Sequence, residues 1–168
     1  MNKVVVVDAG TPSEVTGRIV ETEAYRSDDP ASHSFNGPTP RSAVMFGPPG
    51  VVYVYLSYGI HHCVNVVAGA DGDGQAVLLR AVTPLDGLDL IRERRAGRAD
   101  RELANGPGKL CVALGIDLAD NGTDLLAPSS RLRIVDDGTS PPANPVVGPR
   151  VGITRAVDTP WRFRVSAR

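Results

Sequence analysis

Glu21 and Glu23 flank Thr22 in a stretch rich in β-branched residues. Residues two apart on a strand share a face, so both carboxylates can point the same way, about 6–7 Å apart. Such a pair can set one ionised acid beside a substrate and leave the other in a salt bridge. The plainer alternative is two solvent-facing glutamates on a half-exposed strand. All four tyrosines of the chain, Tyr25, Tyr53, Tyr55 and Tyr58, lie in or beside two short segments. Tyr53 and Tyr55 share a strand face, and Tyr25 follows Glu23 on its own face. Planar rings beside a carboxylate suit a flat, electron-poor ligand such as a nucleobase, held by stacking. Tyrosines that simply fill a sheet face are the competing explanation.

Other chemistries have weaker support. His33 stands in a polar loop, and His61, His62 and Cys63 follow Tyr58 closely. Adjacent histidines on a strand point to opposite faces, and no second Cys or His has the spacing of a zinc site. No metal and no cofactor is therefore expected, although a small metal-dependent hydrolase built on His61, His62 and Cys63 stays open as a rival. Gly69–Gly74 lacks the helix and lysine of a phosphate loop. Ser57-Tyr58-Gly59 is not a nucleophile elbow, and no Ser-His-Asp arrangement can be read.

The elements that must position these residues follow from periodicity and turn chemistry. Residues 15–25, 51–58, 63–67 and 75–82 read as strands, with a Gly- and Asp-rich turn at 69–74. Residues 26–50 form a long polar loop, and a loop of that length in a compact domain is usually functional. Residues 86–96 carry Leu88, Leu90 and Ile91 and read as a helix that Asp86 could cap. Residues 107–114 read as a second helix, with Pro107 in its first turn and Gly115 at its stop. Residues 131–135, 150–154 and 161–165 read as short late strands, with Pro141, Pro142 and Pro145 marking an irregular crossing. Strands with helices grouped mid-chain give an α+β class: one domain over 1–168, with a mixed or antiparallel curved sheet and a few helices packed around it.

Composition sets outer bounds. The 168 residues, 42% hydrophobic and 22% charged, suffice for one core without disulfides or metals. No apolar run approaches the roughly 20 residues of a membrane span. The valines at 4–7 are too few for a signal peptide, so Cys63 and Cys111 are expected reduced and the protein cytoplasmic. Net charge is −1, which alone argues mildly against nucleic-acid binding. The distribution is uneven: residues 1–30 hold six acids and three bases, residues 129–168 three acids and seven arginines, and 16 of the 18 bases are arginine. Arginine can grip phosphate bidentately.

In order along the chain, Gly17-Arg18-Ile19-Val20-Glu21-Thr22-Glu23-Ala24-Tyr25, Ala31-Ser32-His33-Ser34, Thr39-Pro40-Arg41 and Val44-Met45-Phe46 resemble the alkyladenine (3-methyladenine) DNA glycosylase family. So do Pro49-Gly50, Tyr53-Val54-Tyr55, Tyr58-Gly59, Cys63-Val64-Asn65, residues 76–81, Gly106-Pro107, Lys109-Leu110-Cys111 and Arg150-Val151-Gly152. The resemblance covers roughly residues 15 to 165 and points to a bacterial member. It implies a monofunctional enzyme, without lyase activity, that removes damaged purines by cutting the bond between base and deoxyribose. Glu23 would be the general base for the attacking water, which the Val151 carbonyl and Arg80 would help to hold. Tyr25, His33 and Tyr55 would sandwich the extruded base, Asn65 would exclude normal guanine by its 2-amino group, and Tyr58 would fill the gap left in the duplex. Glu21 would be structural. Arg41, Arg150 and the other late arginines would face phosphate. The partner implied is double-stranded DNA carrying damaged purines, with no membrane, bound by a monomer near the nucleoid. Both chain ends are shorter than the family's usual pattern, which keeps a catalytically weak lesion-binding module as an alternative.

Overall fold

The computed structural model describes residues 1–166. Eight strands form one sheet: β1 (Val4–Val7), β2 (Val15–Tyr25), β3 (Val52–Ser57), β4 (His61–Ala68), β5 (Gln75–Pro84), β6 (Leu132–Val135), β7 (Val146–Gly148) and β8 (Arg162–Arg164). Their main order is β3-β4-β5-β2-β1-β6. Every pairing is antiparallel. The 11-residue β2 is the spine: β5 pairs along one edge, while β1 takes the first half of the other edge and β8 takes Glu21–Glu23.

Helices α1 (Leu88–Arg94) and α2 (Pro107–Leu114) cover one face of this sheet. Leu110 and Leu114 of α2 and Ile91 of α1 pack with Val52, Val54, Val64 and Leu79, all buried. The opposite face carries a smaller apolar cluster of Met45, Tyr53, Val67 and Ala76. Alternation on β3 and β4 thus sends Val52, Val54 and Val64 to the helices, and Tyr53, Tyr55, Cys63 and Asn65 to the other side.

On β2 and β5 the alternation breaks, and the break matters for the site. Ile19 pairs with Val82, Glu21 with Ala81 and Thr22 with Leu79, so one extra residue enters β2 at Val20 and one enters β5 at Arg80. Two compensating bulges keep the overall register but invert which positions face the helices. Val15 and Ile19 belong to the helix-side core, whereas Glu23, equally odd-numbered, pairs with Leu78 on the opposite face.

Several sequence expectations change. β1 and β7 were not anticipated. β1 is a fully paired strand between β2 and β6, and its valine run is the pattern of a strand with no exposed edge. Residues 150–154 form no strand: Pro149 supplies no N–H, and Gly152 turns the chain at φ +79°. Asp86 does not cap α1. Its carboxylate accepts from the Thr16 hydroxyl at 2.7 Å, and the helix starts after Gly87 at φ +71°. A side chain on Gly87 would put its Cβ 2.5 Å from the Glu14 carbonyl oxygen. α2 runs as expected from Pro107 to a left-handed Gly115. No helix among the described residues is long and apolar enough to cross a membrane.

Candidate active site

A row of directly paired residues crosses the helix-free face: Tyr53 on β3, Asn65 on β4, Leu78 on β5, Glu23 on β2 and Arg162 on β8. Pairing between β4 and β5 ends at Asn65–Leu78, so the strands part beyond it. Above this row lies a cleft of about 610 Å³. Its walls include Tyr25, His33, Arg41, Tyr55, Tyr58, Asn65, Arg80 and Val151. Eight of the residues to which the resemblance gives a role in the site therefore share one cavity.

Glu23 lies behind that wall and is 0% exposed. Its Oε1 accepts the Val151 N–H at 2.8 Å and lies 3.2 Å from Arg80 Nη1. Its Oε2 accepts the Tyr25 hydroxyl at 2.9 Å. A buried carboxylate is tolerable because it is paired and hydrogen-bonded. Val151 meets Glu23 through its N–H. The 150–154 segment gives this donor to the carboxylate rather than to a sheet ladder. Burial, then the Glu23 charge, hold the Tyr25 phenol well above its ordinary pKa of 10, which keeps it a donor.

Glu21 does share the face of Glu23, and Arg80 links them. Arg80 Nε donates to Glu21 Oε1 at 3.0 Å, and Arg162 Nε donates to the same oxygen. Glu21 is thus an ion-pair partner, half hidden, while Glu23 carries the convergent donors.

The ring cluster is ordered by its own polar contacts. His33 Nδ1 and the Tyr53 hydroxyl are 2.9 Å apart, and the His33 ring stands edge-on to Tyr55 with centroids 4.6 Å apart. Partial burial and the nearby Arg41 charge lower the His33 pKa from its ordinary 6.5, so the ring is neutral at pH 7. A folded-state value below the unfolded one means that the stability contribution is complete above about pH 6.5 and is lost as pH falls through the folded value. Replacing His33 with glutamine is expected to flatten the acid limb of the Tm–pH profile below pH 6.5; an unaltered limb would assign that loss to other groups. Asn65 is buried and donates its side-chain N–H to the Tyr53 carbonyl at 3.0 Å. Burial raises the pKa of the Cys63 thiol, so it is a protonated wall residue rather than a thiolate. Among the described residues no three His, Cys, Asp or Glu side chains gather as metal ligands.

Tyr58 sits at the tip of the β3–β4 hairpin and is 87% exposed. Ile60 N–H bonds the Ser57 carbonyl at 3.1 Å, and the two residues between, Tyr58 and Gly59, have φ of +50° and +72°. This is a type I′ geometry, for which Asn-Gly is the preferred pair and a bulky first residue is strained. Tyr58→Asn is expected to raise stability by about 1 kcal/mol, or roughly 2–4 °C in Tm. A fall of several degrees would instead make Tyr58 a packing residue.

The late arginines overturn a sequence expectation. Arg150 cannot face phosphate: its side chain is 0% exposed and holds Asp29 through both Nη atoms, with Nη2–Oδ1 at 2.9 Å. It also donates to the Ala24 carbonyl and lies 4.6 Å above the Tyr25 ring. Arg131 binds Asp8 and Asp120, and Arg162 binds Glu21. These three arginines thus neutralise Asp8, Glu21 and Asp29 of the first segment, whereas Arg155 lines the cleft outside any ion pair among the described residues. Asp29, which anchors the long loop, was missed, since nothing local marks it among the polar residues there. Arg41 remains exposed at the cleft, with its guanidinium 5.1 Å over Tyr55.

The class that this combination defines is read from comparison with known proteins. A family model described as methylpurine-DNA glycosylase (MPG) matches residues 1–168. The chain belongs to that family. A relative from Rhodopseudomonas palustris (strain BisB18) is 54% identical over 147 residues, covering 88% of this chain and 72% of its own. One from Nitrosospira multiformis is 53% identical over 152 residues, covering 89% and 75%. One from Burkholderia lata is 48% identical over 167 residues, covering 98% and 79%. All three bear the printed name "Putative 3-methyladenine DNA glycosylase".

Proposed function

We propose that this DNA glycosylase flips a damaged purine (3-methyladenine, 7-methylguanine, hypoxanthine or ethenoadenine in type) out of duplex DNA into the tyrosine-lined cleft and hydrolyses its N-glycosidic bond. The observation that carries this reading is the arrangement at Glu23. A carboxylate offers about four acceptor positions. The Val151 N–H takes one on Oε1, with Arg80 Nη1 in ionic contact 3.2 Å from the same oxygen, and the Tyr25 hydroxyl takes one on Oε2; the carboxylate is closed to solvent in the free protein, so a water reaches the open position on Oε2 as the cleft rearranges around a flipped base.

Glu23 takes a proton from that water as its oxygen bonds C1′ and the bond to the base nitrogen breaks. The base leaves with the electron pair, and an abasic site remains. Positive charge develops at the sugar in the transition state, which the nearby carboxylate also stabilises. Tyr25, His33 and Tyr55 stack on the base, and a cationic purine gains further from the tyrosine faces. The neutral His33 adds no opposing charge. Asn65 stands at the wall to exclude guanine by its 2-amino group. Tyr58 enters the duplex where the base left, which gives the strained turn a purpose. Neither lysine, Lys3 nor Lys109, lines this cleft, so a Schiff-base lyase step lacks its amine.

The test is single-turnover base release from duplex DNA with one 3-methyladenine or one hypoxanthine. Release of free base with an intact phosphodiester backbone is the expected result. Tight lesion binding with no release would make the protein a lesion binder, and backbone cleavage without alkali would make it a lyase.

A further inference from the structure

In hydrolysis at Glu23 the departing base needs a partner of its own. A cationic purine such as 3-methyladenine departs as a neutral base, but a neutral lesion such as hypoxanthine departs as an anion. That negative charge needs either a proton from a general acid or a fixed positive charge beside it. We propose that Arg155 supplies the charge: its guanidinium stabilises the departing base of neutral purine lesions and so makes that class a substrate of this cleft. The proposal rests on the reading that the chain is a glycosylase acting through Glu23.

Three observations support it. First, the groups that line the cleft include no poised general acid. The Tyr25 phenol is committed to Glu23, and burial holds it above its ordinary pKa. Burial raises the Tyr55 phenol and the Cys63 thiol in the same way. His33 is neutral, with Nδ1 engaged by the Tyr53 hydroxyl, and no aspartate or glutamate lines the cleft. Second, three arginines do line it, and only one is unengaged. Arg80 is held by Glu21 and Glu23, and Arg41 donates to the Leu56 carbonyl at 3.3 Å. The exposed Arg155 side chain has no ion-pair or hydrogen-bond partner among the described residues, so it is open to a base that enters. Third, the turn that presents Arg155 lies between Gly152, at φ +79°, and Ala156, at φ +48°, a value that residues other than glycine rarely hold. The same turn begins at Val151, whose N–H fixes Glu23, so one segment positions the carboxylate and the cation together. A guanidinium stays charged at any working pH, and its fork matches two acceptors such as the O6 and N7 of hypoxanthine. The charges balance: Glu23 takes a proton from water, the water oxygen bonds C1′, and the C1′–N9 bond breaks with its electron pair on the base. The anion is held by Arg155 and takes a proton from solvent as it leaves.

The experiment is single-turnover release of hypoxanthine and of 3-methyladenine from otherwise identical duplexes at saturating enzyme, for the wild type, Arg155→Gln and Arg155→Lys. Arg155→Gln is expected to slow hypoxanthine release by about 10²-fold, the low end for losing one charge-stabilising donor. Release of 3-methyladenine should stay within about twofold, because that base leaves uncharged. Arg155→Lys keeps the charge without the fork and should recover most of the hypoxanthine rate. A misfolded cleft slows both lesions and cannot produce this split. An equal fall for both would make Arg155 a positioning residue and overturn the proposal. So would unchanged rates for both, or a wild type that releases 3-methyladenine but not hypoxanthine. A wild type that releases neither base would instead fail the glycosylase reading itself, and this proposal with it.

Discussion

Glu23→Gln is expected to lower single-turnover base release by about 10²–10⁴-fold, the usual size of a general-base contribution, while lesion affinity and fold are retained. Glutamine is the right probe because the site can accept it. Its Oε1 can receive the Val151 N–H as the carboxylate does, and Arg80 exchanges an ionic contact there for an ion–dipole one. Its Nε2 then faces the Tyr25 hydroxyl, which can turn from donor to acceptor. Arg80 keeps an anion in Glu21. Alanine would leave the Val151 N–H and the Tyr25 hydroxyl facing a buried hole and would confound chemistry with stability. What glutamine cannot do is take a proton from water. Equal release by wild type and variant would remove Glu23 from the mechanism. A large fall in Tm would show that the charge is needed to hold Val151 and Arg80 in place.

The comparison of Glu21 with Glu23 shows how far residue spacing can be read. That the two share a face was legible from strand periodicity alone. Which of them is buried was not, because the choice is made by distant partners. Arg162 reaches Glu21 from β8, and the Val151 N–H reaches Glu23 from a loop about 130 residues away. The tyrosine cluster was legible for the same local reason, since Tyr53 and Tyr55 alternate with Val52 and Val54, which go to the core. The β2–β5 bulges were not. They need two strands to be compared, and a single strand shows only a partial alternation from Val15 to Tyr25.

The charge asymmetry teaches a second limit. Acids in the first thirty residues and arginines in the last forty read as a candidate phosphate-facing surface. In the fold three from each set are partners: Asp8 with Arg131, Glu21 with Arg162, Asp29 with Arg150. Antiparallel pairing of β8 on β2 brings the two segments together, and complementary charge follows. A surplus of one sign therefore indicates an external partner only after internal pairing has been subtracted. Arg41 and Arg155 at the cleft, and Arg95, Arg98 and Lys109 beyond Tyr58, are among the cations that survive that subtraction.

The same pairing predicts the largest stability effect in the molecule. Asp29 and Arg150 are 1% and 0% exposed, and the guanidinium lies between the Tyr25 ring, at 4.6 Å, and Trp161, at 5.2 Å. Removing one member of a buried pair leaves an uncompensated charge and costs about 3–5 kcal/mol. For a chain of this size that is a fall in Tm of roughly 6–20 °C. Asp29→Ala is expected to show it in full, since Arg150 then keeps only the Ala24 carbonyl. It should also slow base release, because Val151, which follows Arg150, places its N–H on Glu23, and the freed loop carries His33. The double variant Asp29→Leu/Arg150→Met removes both charges. It should recover part of the lost stability relative to Asp29→Ala, since apolar replacement of a buried pair is often close to neutral. Recovery stays incomplete because the Ala24 carbonyl loses its donor. A double variant as unstable as the sum of its single changes would mean that the two side chains act independently. An Asp29→Ala Tm within about 2 °C of wild type would mean that water reaches and solvates Arg150, and that the clamp does not exist in solution.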